Sequence, residues 1–253
     1  KEQNDSEIER VWDLGVRQIF AFHDVDSALG GTGIFSSILN YVGFTGTHGF
    51  WKTYPCPDGG VGDSYFYDAG AEMESAPLFS QDDPLTQAIL ANGQGALPVY
   101  GPGRQCNARG TTELGHYALD QMMKKGFVLD IDHAELSIKQ DMLDKGAATT
   151  PAYPMLSAHG GHGGISMAQA KQMLDQGGLI YPSGQNGEGY KHYLDKIKPI
   201  FDLMTACDTW IPEPSSESGR PSAVWIAAKV TPGFAIARSC SRVRCGASAR
   251  RSP

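Results

Sequence analysis

After Gly110 the chain repeats one order of segments: an amphipathic stretch, a glycine, a short apolar run and a loop. The amphipathic stretches predict helices at 111–125, 135–145 and 166–174. The apolar runs FVLDID, YPMLSA and LIYPSG predict strands at 127–132, 153–158 and 179–184. Such an alternation of helices and strands is typical of a parallel α/β sheet or of a (β/α) barrel.

Elements on both sides of this repeat extend the pattern. The run VRQIFAF at 16–22 predicts a buried strand, and a fourth helix is predicted at 190–207, interrupted by a proline. Residues 24–110 are rich in glycine, proline and aromatic residues, so we interpret them as a long inserted loop region. Cys56 and Cys106 both lie in its loop-like sequence, and either a disulfide or two free thiols fits their setting.

Composition limits the partners of the chain. The formal net charge is −7, although residues 214–253 hold six arginines and one lysine against one glutamate. The acidic body argues against nucleic acid as a partner, because phosphate binding needs a basic face. The basic end shows no helical period, and we expect a disordered or non-native tail there. No run of about 18 apolar residues occurs, so we expect no transmembrane segment.

Three predicted strands end at a histidine: His23, His133 and His159. In a parallel βα array the strand ends meet at one face, where catalytic groups collect. A single histidine there is most simply a hydrogen-bonded structural residue. Three in succession favour a metal role for His133 and His159, because imidazoles from neighbouring strands suit zinc. Asp24 and Asp26 are open to two interpretations, as extra ligands or as part of an aspartate-rich turn.

Residues 107–133, NARGTTELGHYALDQMMKKGFVLDIDH, are followed at 151–159 by PAYPMLSAH. Together they resemble the renal or membrane dipeptidase family of the amidohydrolase superfamily, and GVRQIFAFH at 15–23 extends the resemblance. It covers the chain from about Val11 to Phe201 in order and spacing, apart from an enlarged loop at 24–106. The resemblance implies an α/β fold of the (β/α) TIM-type barrel class, incomplete in this chain. Residues 1–213 would form the barrel portion, with 24–110 inserted.

The resemblance also implies a role for each motif residue. His133 and His159 correspond to two imidazole ligands of a pair of zinc ions, and His23 to the histidine that contacts the substrate and polarises the scissile carbonyl. Asp130 would support its strand or orient an imidazole. Apart from the resemblance, His162 in the glycine-rich sequence HGGHGG is open to two interpretations, as part of the loop or as a substrate contact. The implied function is a metal-dependent hydrolase that cleaves dipeptides or related amide bonds with metal-activated water.

The chain also departs from the pattern of that family. The family has a His-x-Asp and a bridging carboxylate before the substrate histidine, whereas the acidic residues before His23 have no such context. We therefore expect weak or no activity from this chain. Two alternatives stay open: a non-catalytic binding module on the same barrel, or a hydrolase of another amide, a lactone or an ester. Exported relatives and the cysteine pair favour a periplasmic or extracellular location, and the oligomeric state is not indicated.

Overall fold

The computed structural model describes residues 1–73, 84–91 and 98–181. Its helices are α1 (Glu2–Asp13), α2 (Ile38–Thr47), α3 (Pro84–Ala91), α4 (Glu113–Lys125), α5 (Leu136–Ala147) and α6 (Met167–Asp175), with a 3₁₀ turn at Pro57–Gly60. Its strands are β1 (Gln18–Phe20), β2 (Thr53–Pro55), β3 (Tyr65–Tyr67), β4 (Ala71–Glu72), β5 (Arg104–Asn107), β6 (Val128–Asp130), β7 (Leu156–Ser157), β8 (Ile165–Ser166) and β9 (Leu179–Ile180).

Four parallel strands form a sheet in the order β1, β6, β7, β9. Phe20 pairs with Asp130 between β1 and β6, and Asp130 pairs in turn with Leu156 in β7. Leu156 also pairs with Leu179, which adds β9 at the far edge. The expectation of a mixed α/β fold with a parallel sheet is therefore confirmed.

Local signals in the sequence set the ends of the helices. The hydroxyl of Thr112 accepts a hydrogen bond from the N–H of Gly115, which caps the start of α4. Gly126 ends α4 in a left-handed conformation, with φ of +91°, which glycine adopts without steric cost. Ser166 and Gln169 form the predicted capping box at the start of α6. The helix predicted at 135–145 is present as α5.

The main apolar core joins the parallel sheet to the helices that surround it. The chain around β6 contributes Phe127, Leu129 and Ile131, all fully buried. Helices α4, α5 and α6 contribute further side chains of the same cluster: Leu119, Ile138, Met142, Leu143 and Met173. Helix α1 packs against α4, and the rings of Trp12 and Phe127 meet edge to face with their centroids 5.0 Å apart. This packing fixes the strands, and therefore the residues that follow their carboxyl ends.

The region predicted as a long inserted loop contains a small antiparallel sheet of its own. Strand β5 pairs with β2 on one side and with β4 on the other. Cys56 and Cys106 form a disulfide bond, with their Sγ atoms 2.07 Å apart, so the alternative of two free thiols is wrong. Strand β3 pairs with β8, which attaches the region directly to the segment before α6.

Two sequence predictions, the helix at 190–207 and the basic tail at 214–253, lie outside the described residues. Among the helices that the structure does describe, none combines the length and the apolar character needed to cross a membrane.

Candidate metal centre

The predicted strand-end histidines lie close together. His23 follows β1, His133 follows β6 and His159 follows β7, which are three neighbouring strands. The ring centroid of His133 is 4.2 Å from that of His23 and 5.2 Å from that of His159. His162 is also near, with its centroid 4.7 Å from that of His133. All four imidazoles proposed from the sequence therefore meet around His133.

Asp24 joins these imidazoles through a tight turn. The N–H of Val25 donates a hydrogen bond to the carbonyl of His23 at 2.6 Å, and Asp24 at the centre of this turn has φ of +56°. Few residues other than glycine adopt such a left-handed conformation. The turn brings Oδ1 of Asp24 to 3.0 Å from Nδ1 of His133, and Oδ2 to 3.4 Å from Nδ1 of His23.

His23, Asp24 and His133 form a group that could hold a metal ion. One potential ligand atom from each residue lies within 4.8 Å of the other two. Two imidazoles and a carboxylate form a donor set that zinc accepts in catalytic sites, where three protein ligands leave one position open. The sequence left Asp24 open between a ligand and a turn residue. In the structure Asp24 belongs to the turn and its carboxylate also faces the imidazoles.

His133 is the buried member of this group. Its side chain is only 10% exposed, compared with 52% for His23. Its Nδ1 lies close to Asp24 but is not aligned for a hydrogen bond, so within the described residues this buried nitrogen has no hydrogen-bond partner. Burial, reinforced by the neighbouring imidazoles of His162 and His23, lowers the pKa of His133 to about 4. A neutral imidazole with an unused nitrogen is the form that binds a metal.

Backbone hydrogen bonds hold His133 in an unusual conformation, with φ of +65°. Its N–H donates to the carbonyl of His162 at 2.9 Å. Its own carbonyl accepts from the N–H of Gly33 at 2.7 Å and from the hydroxyl of Thr32 at 2.7 Å. Residues from two separate loops therefore fix the position of this histidine.

Asp132 organises the loop that carries His159. This aspartate is fully buried, and its carboxylate accepts a hydrogen bond from the hydroxyl of Ser157 at 2.8 Å. The same carboxylate accepts from the N–H of Gly161 at 3.0 Å and from the N–H of His159 at 2.5 Å. Sequence reasoning missed Asp132. Its position was a usable signal, because it is a carboxylate that ends a predicted buried strand and directly precedes a predicted ligand.

Asp130 contacts strand ends in the described structure. Its carboxylate accepts from the side-chain amide of Gln18 at 2.9 Å, from the N–H of Asp132 at 3.1 Å and from the N–H of Ala158 at 3.4 Å. Burial, together with the nearby Asp132 carboxylate, raises the pKa of Asp130 to about 7. Of the two roles that the resemblance implies, these contacts favour support of the strands.

Asp26 has a structural place in the turn after β1. Its Oδ1 accepts from the side-chain amide of Asn107 at 2.6 Å and from the N–H of Thr32 at 3.2 Å. Asn107 also donates to the carbonyl of Thr32 at 3.0 Å. Burial raises the pKa of Asp26. These bonds link β5 of the inserted region to the loop that holds His133.

Phenylalanines flank the imidazoles on two sides. Phe20 stacks on His159 with the ring centroids 5.4 Å apart, and Phe35 lies 4.2 Å from His162 by the same measure. His23 and His159 remain exposed. The cluster is therefore lined by apolar rings, yet open enough on the side of these two histidines for a small molecule to reach it.

Comparison of the chain with protein-family models, with curated proteins and with solved structures gave no match. The chemistry of the site therefore follows from its own residues: two imidazoles and a carboxylate within bonding reach of one ion, with two more imidazoles beside them.

Proposed function

We propose that this protein is a metal-dependent hydrolase that cleaves dipeptides or related small amides. The observation that carries the proposal is the meeting of His23, Asp24 and His133 just beyond the carboxyl ends of adjacent parallel strands. Parallel α/β enzymes collect their catalytic groups at this edge. The reaction class comes from the resemblance of residues 15–23, 107–133 and 151–159 to the membrane dipeptidase family.

We propose further that the parallel sheet is part of an incomplete TIM-type (β/α) barrel within residues 1–213. Its strands succeed one another across the sheet in chain order, as barrel strands do. A doubly wound sheet instead reverses its strand order at a switch point. Helices α4, α5 and α6 each precede a strand of this sheet, which is the alternation of a barrel. Region 24–110 is then an insertion after the first described barrel strand, and 214–253 a separate tail.

Zinc is the ion that best suits this donor set of imidazoles and a carboxylate. When bound, zinc lowers the pKa of a coordinated water to ~7 and polarises a carbonyl group. His133 would hold the ion from the buried side, because its free nitrogen is already desolvated and neutral. Asp24 would supply negative charge that offsets the charge of the cation.

The exposed residues of the cluster are the ones that a substrate would reach. His23 is more accessible than His133, and we propose that it donates a hydrogen bond to the carbonyl oxygen of an amide, as the resemblance implies. His162 lies half-buried beside Phe35, so this side of the site offers an apolar contact for a substrate side chain. The ring of Phe20 lies beside those of His23, His133 and His159 and adds a second apolar surface next to the cluster.

The resemblance and the geometry assign different partners to His133. The resemblance pairs His133 with His159 as a second zinc ligand. In the structure, the residues whose ligand atoms all lie within 4.8 Å of one another and of His133 are His23 and Asp24. If the resemblance is right, His159→Ala loses zinc and Asp24→Asn retains it. If the geometry is right, Asp24→Asn loses zinc and His159→Ala retains it. Both outcomes are compatible with a hydrolase.

Elemental analysis after equilibration with zinc tests the proposal. We expect zinc on the wild-type protein and on the control His116→Ala, which removes a histidine of α4 that pairs with Asp141. We expect His133→Ala to lose it. A panel of dipeptides, lactones and esters then identifies the bond cleaved, with weak dipeptide turnover expected. Zinc-free wild-type protein would favour the non-catalytic binding module, and full occupancy of His133→Ala would contradict the assignment.

We also propose an oxidising compartment, periplasmic or extracellular, as the place of action. The disulfide between Cys56 and Cys106 supports this, because structural disulfides form and persist mainly outside the reducing cytosol. Measuring free thiols in protein purified from its native source tests the proposal, since two reactive thiols at these positions would contradict it.

A further inference from the structure

Two buried charged residues bind the glycine-rich loop 159–164 through hydrogen bonds. Asp132, two residues after β6, and Lys139, in α5, are both 0% exposed. Burying a charge is costly unless it is paired and hydrogen-bonded, so the surroundings must compensate both side chains. Both find their hydrogen-bond partners in or next to this loop.

The ammonium group of Lys139 binds the later part of the loop. Its Nζ donates to the carbonyl of His162 at 2.8 Å and to the carbonyl of Gly164 at 2.5 Å. The carbonyl of His162 also accepts from the N–H of His133. One carbonyl, that of His162, is therefore held both by Lys139 and by the backbone of His133.

The carboxylate of Asp132 binds the earlier part of the loop. Its oxygens accept from the N–H groups of His159 and Gly161 and from the hydroxyl of Ser157. Three donors from the segment 157–161 therefore converge on a single buried carboxylate, which fixes the beginning of the loop.

The loop needs such restraints because of its composition. Its sequence is HGGHGG, and all four glycines have positive φ: Gly160, Gly161, Gly163 and Gly164. Glycine loses more conformational freedom on folding than any other residue, so a segment with four of them is not held by its own backbone preferences. Contacts from outside the loop must supply its order.

We propose that Asp132 and Lys139 act together as positioning residues that hold loop 159–164 so that His159 and His162 stay beside His133. The proposal deepens the proposed function, because the loop carries one expected ligand and one substrate contact. The placement of the loop can nevertheless be measured without any hydrolysis.

Amide hydrogen exchange of metal-free protein is the first test. In the wild type we expect the amides of His159 and Gly161 to be protected. In Lys139→Met, and separately in Asp132→Asn, we expect exchange of segment 157–164 to be about ten- to a hundredfold faster. Unprotected loop amides in folded wild-type protein would overturn the proposal without any variant. So would unchanged exchange in either variant that folds.

Cobalt(II) titration, followed by the visible absorption of the bound ion, is the second test. We expect both variants to bind cobalt about ten- to a hundredfold more weakly, because the loop also holds the backbone of His133 through the carbonyl of His162, and removing groups that orient a metal ligand usually has this effect. Matched controls are Lys145→Met, in the same helix and paired with Asp120, and Asp144→Asn. If a control loses as much affinity as its matched variant, the effect is general and the proposal fails.

These tests separate this proposal from the proposed function. A protected loop in a protein that binds no zinc or cobalt contradicts the hydrolase and leaves the positioning role intact. Metal binding and turnover together with an unprotected loop contradict the positioning role alone.

Discussion

Replacement of Asp130 by asparagine is expected to stabilise the metal-free protein at neutral and alkaline pH. The side chain of Asp130 is buried and lies near the Asp132 carboxylate, and both effects raise its pKa from 3.8 to about 7. The three hydrogen bonds to its carboxylate lower the pKa by less than burial and Asp132 raise it, so the ionised form of Asp130 destabilises the fold. Asparagine has nearly the same shape and keeps one acceptor oxygen for the N–H groups of Asp132 and Ala158. Gln18 can reverse its amide to accept from the new NH₂ group.

The magnitude follows from the difference between the folded and unfolded pKa of Asp130. Between pH 4 and pH 7 the folded wild type binds more protons at Asp130 than the unfolded chain does, so the free energy of unfolding falls as pH rises. The full difference in pKa corresponds to about 4 kcal/mol, at about 1.4 kcal/mol per unit. Imperfect replacement of the hydrogen bonds lowers the net gain, and we expect Asp130→Asn to exceed the wild type by about 2–4 kcal/mol at pH 8.

Urea unfolding in the presence of EDTA, monitored by circular dichroism from pH 4 to pH 8, measures this difference. The stability gap between Asp130→Asn and the wild type should widen from pH 4 to pH 7 and then stay constant. The control Asp175→Asn removes an exposed carboxylate paired with Lys171 and should change stability by under about 1 kcal/mol throughout. A gap that keeps the same size across the pH range, or narrows as pH rises, would refute the reasoning.

Three further changes test the inserted region. Removing the disulfide with Cys56→Ala and Cys106→Ala should lower the free energy of unfolding by about 4 kcal/mol, because the bond closes a loop across a sequence separation of 50 residues; a loss below about 1 kcal/mol, measured by urea unfolding, would contradict this. Gly33→Ala should destabilise by about 1–3 kcal/mol, since its new Cβ would lie 2.6 Å from the carbonyl oxygen of Gly163. Gly46→Ala, in α2 with open space around it, should instead raise the free energy of unfolding by about 1 kcal/mol. Equal melting temperatures for the two glycine variants would contradict the close packing of Gly33 against Gly163.

The elements that the sequence predicted well carry local signals. Thr112 and Gly126 bound α4, and Ser166 begins α6 with a capping box, because these residues satisfy backbone groups within a few positions of themselves. The histidines could be placed for a related reason. A residue that directly follows a buried parallel strand lies at the carboxyl edge of the sheet, and this position does not depend on the conformation of distant segments.

The parts of the site that the sequence did not predict depend on long-range contacts. Asp24 has a positive φ, and this conformation directs its carboxylate toward His133. No residue pattern in the sequence predicts that conformation. Asp132 was missed because its partners lie 25 and more residues further along the chain. The antiparallel sheet of the inserted region likewise depends on the pairing of β2 with β5, which lie far apart in the sequence.

The inserted region is part of the site, because its contacts converge on the buried histidine. Cys106, held by the disulfide, is followed by Asn107, whose side chain binds both Asp26 and the carbonyl of Thr32. The hydroxyl of Thr32 in turn binds the carbonyl of His133. Two sets of contacts therefore hold His133. One is the series of bonds that begins at the disulfide, and the other is the bond from its N–H to the carbonyl of His162 in loop 159–164. A change that loosens β5 should consequently weaken zinc binding at the proposed site, measured by elemental analysis, although no residue of that strand belongs to the group of His23, Asp24 and His133.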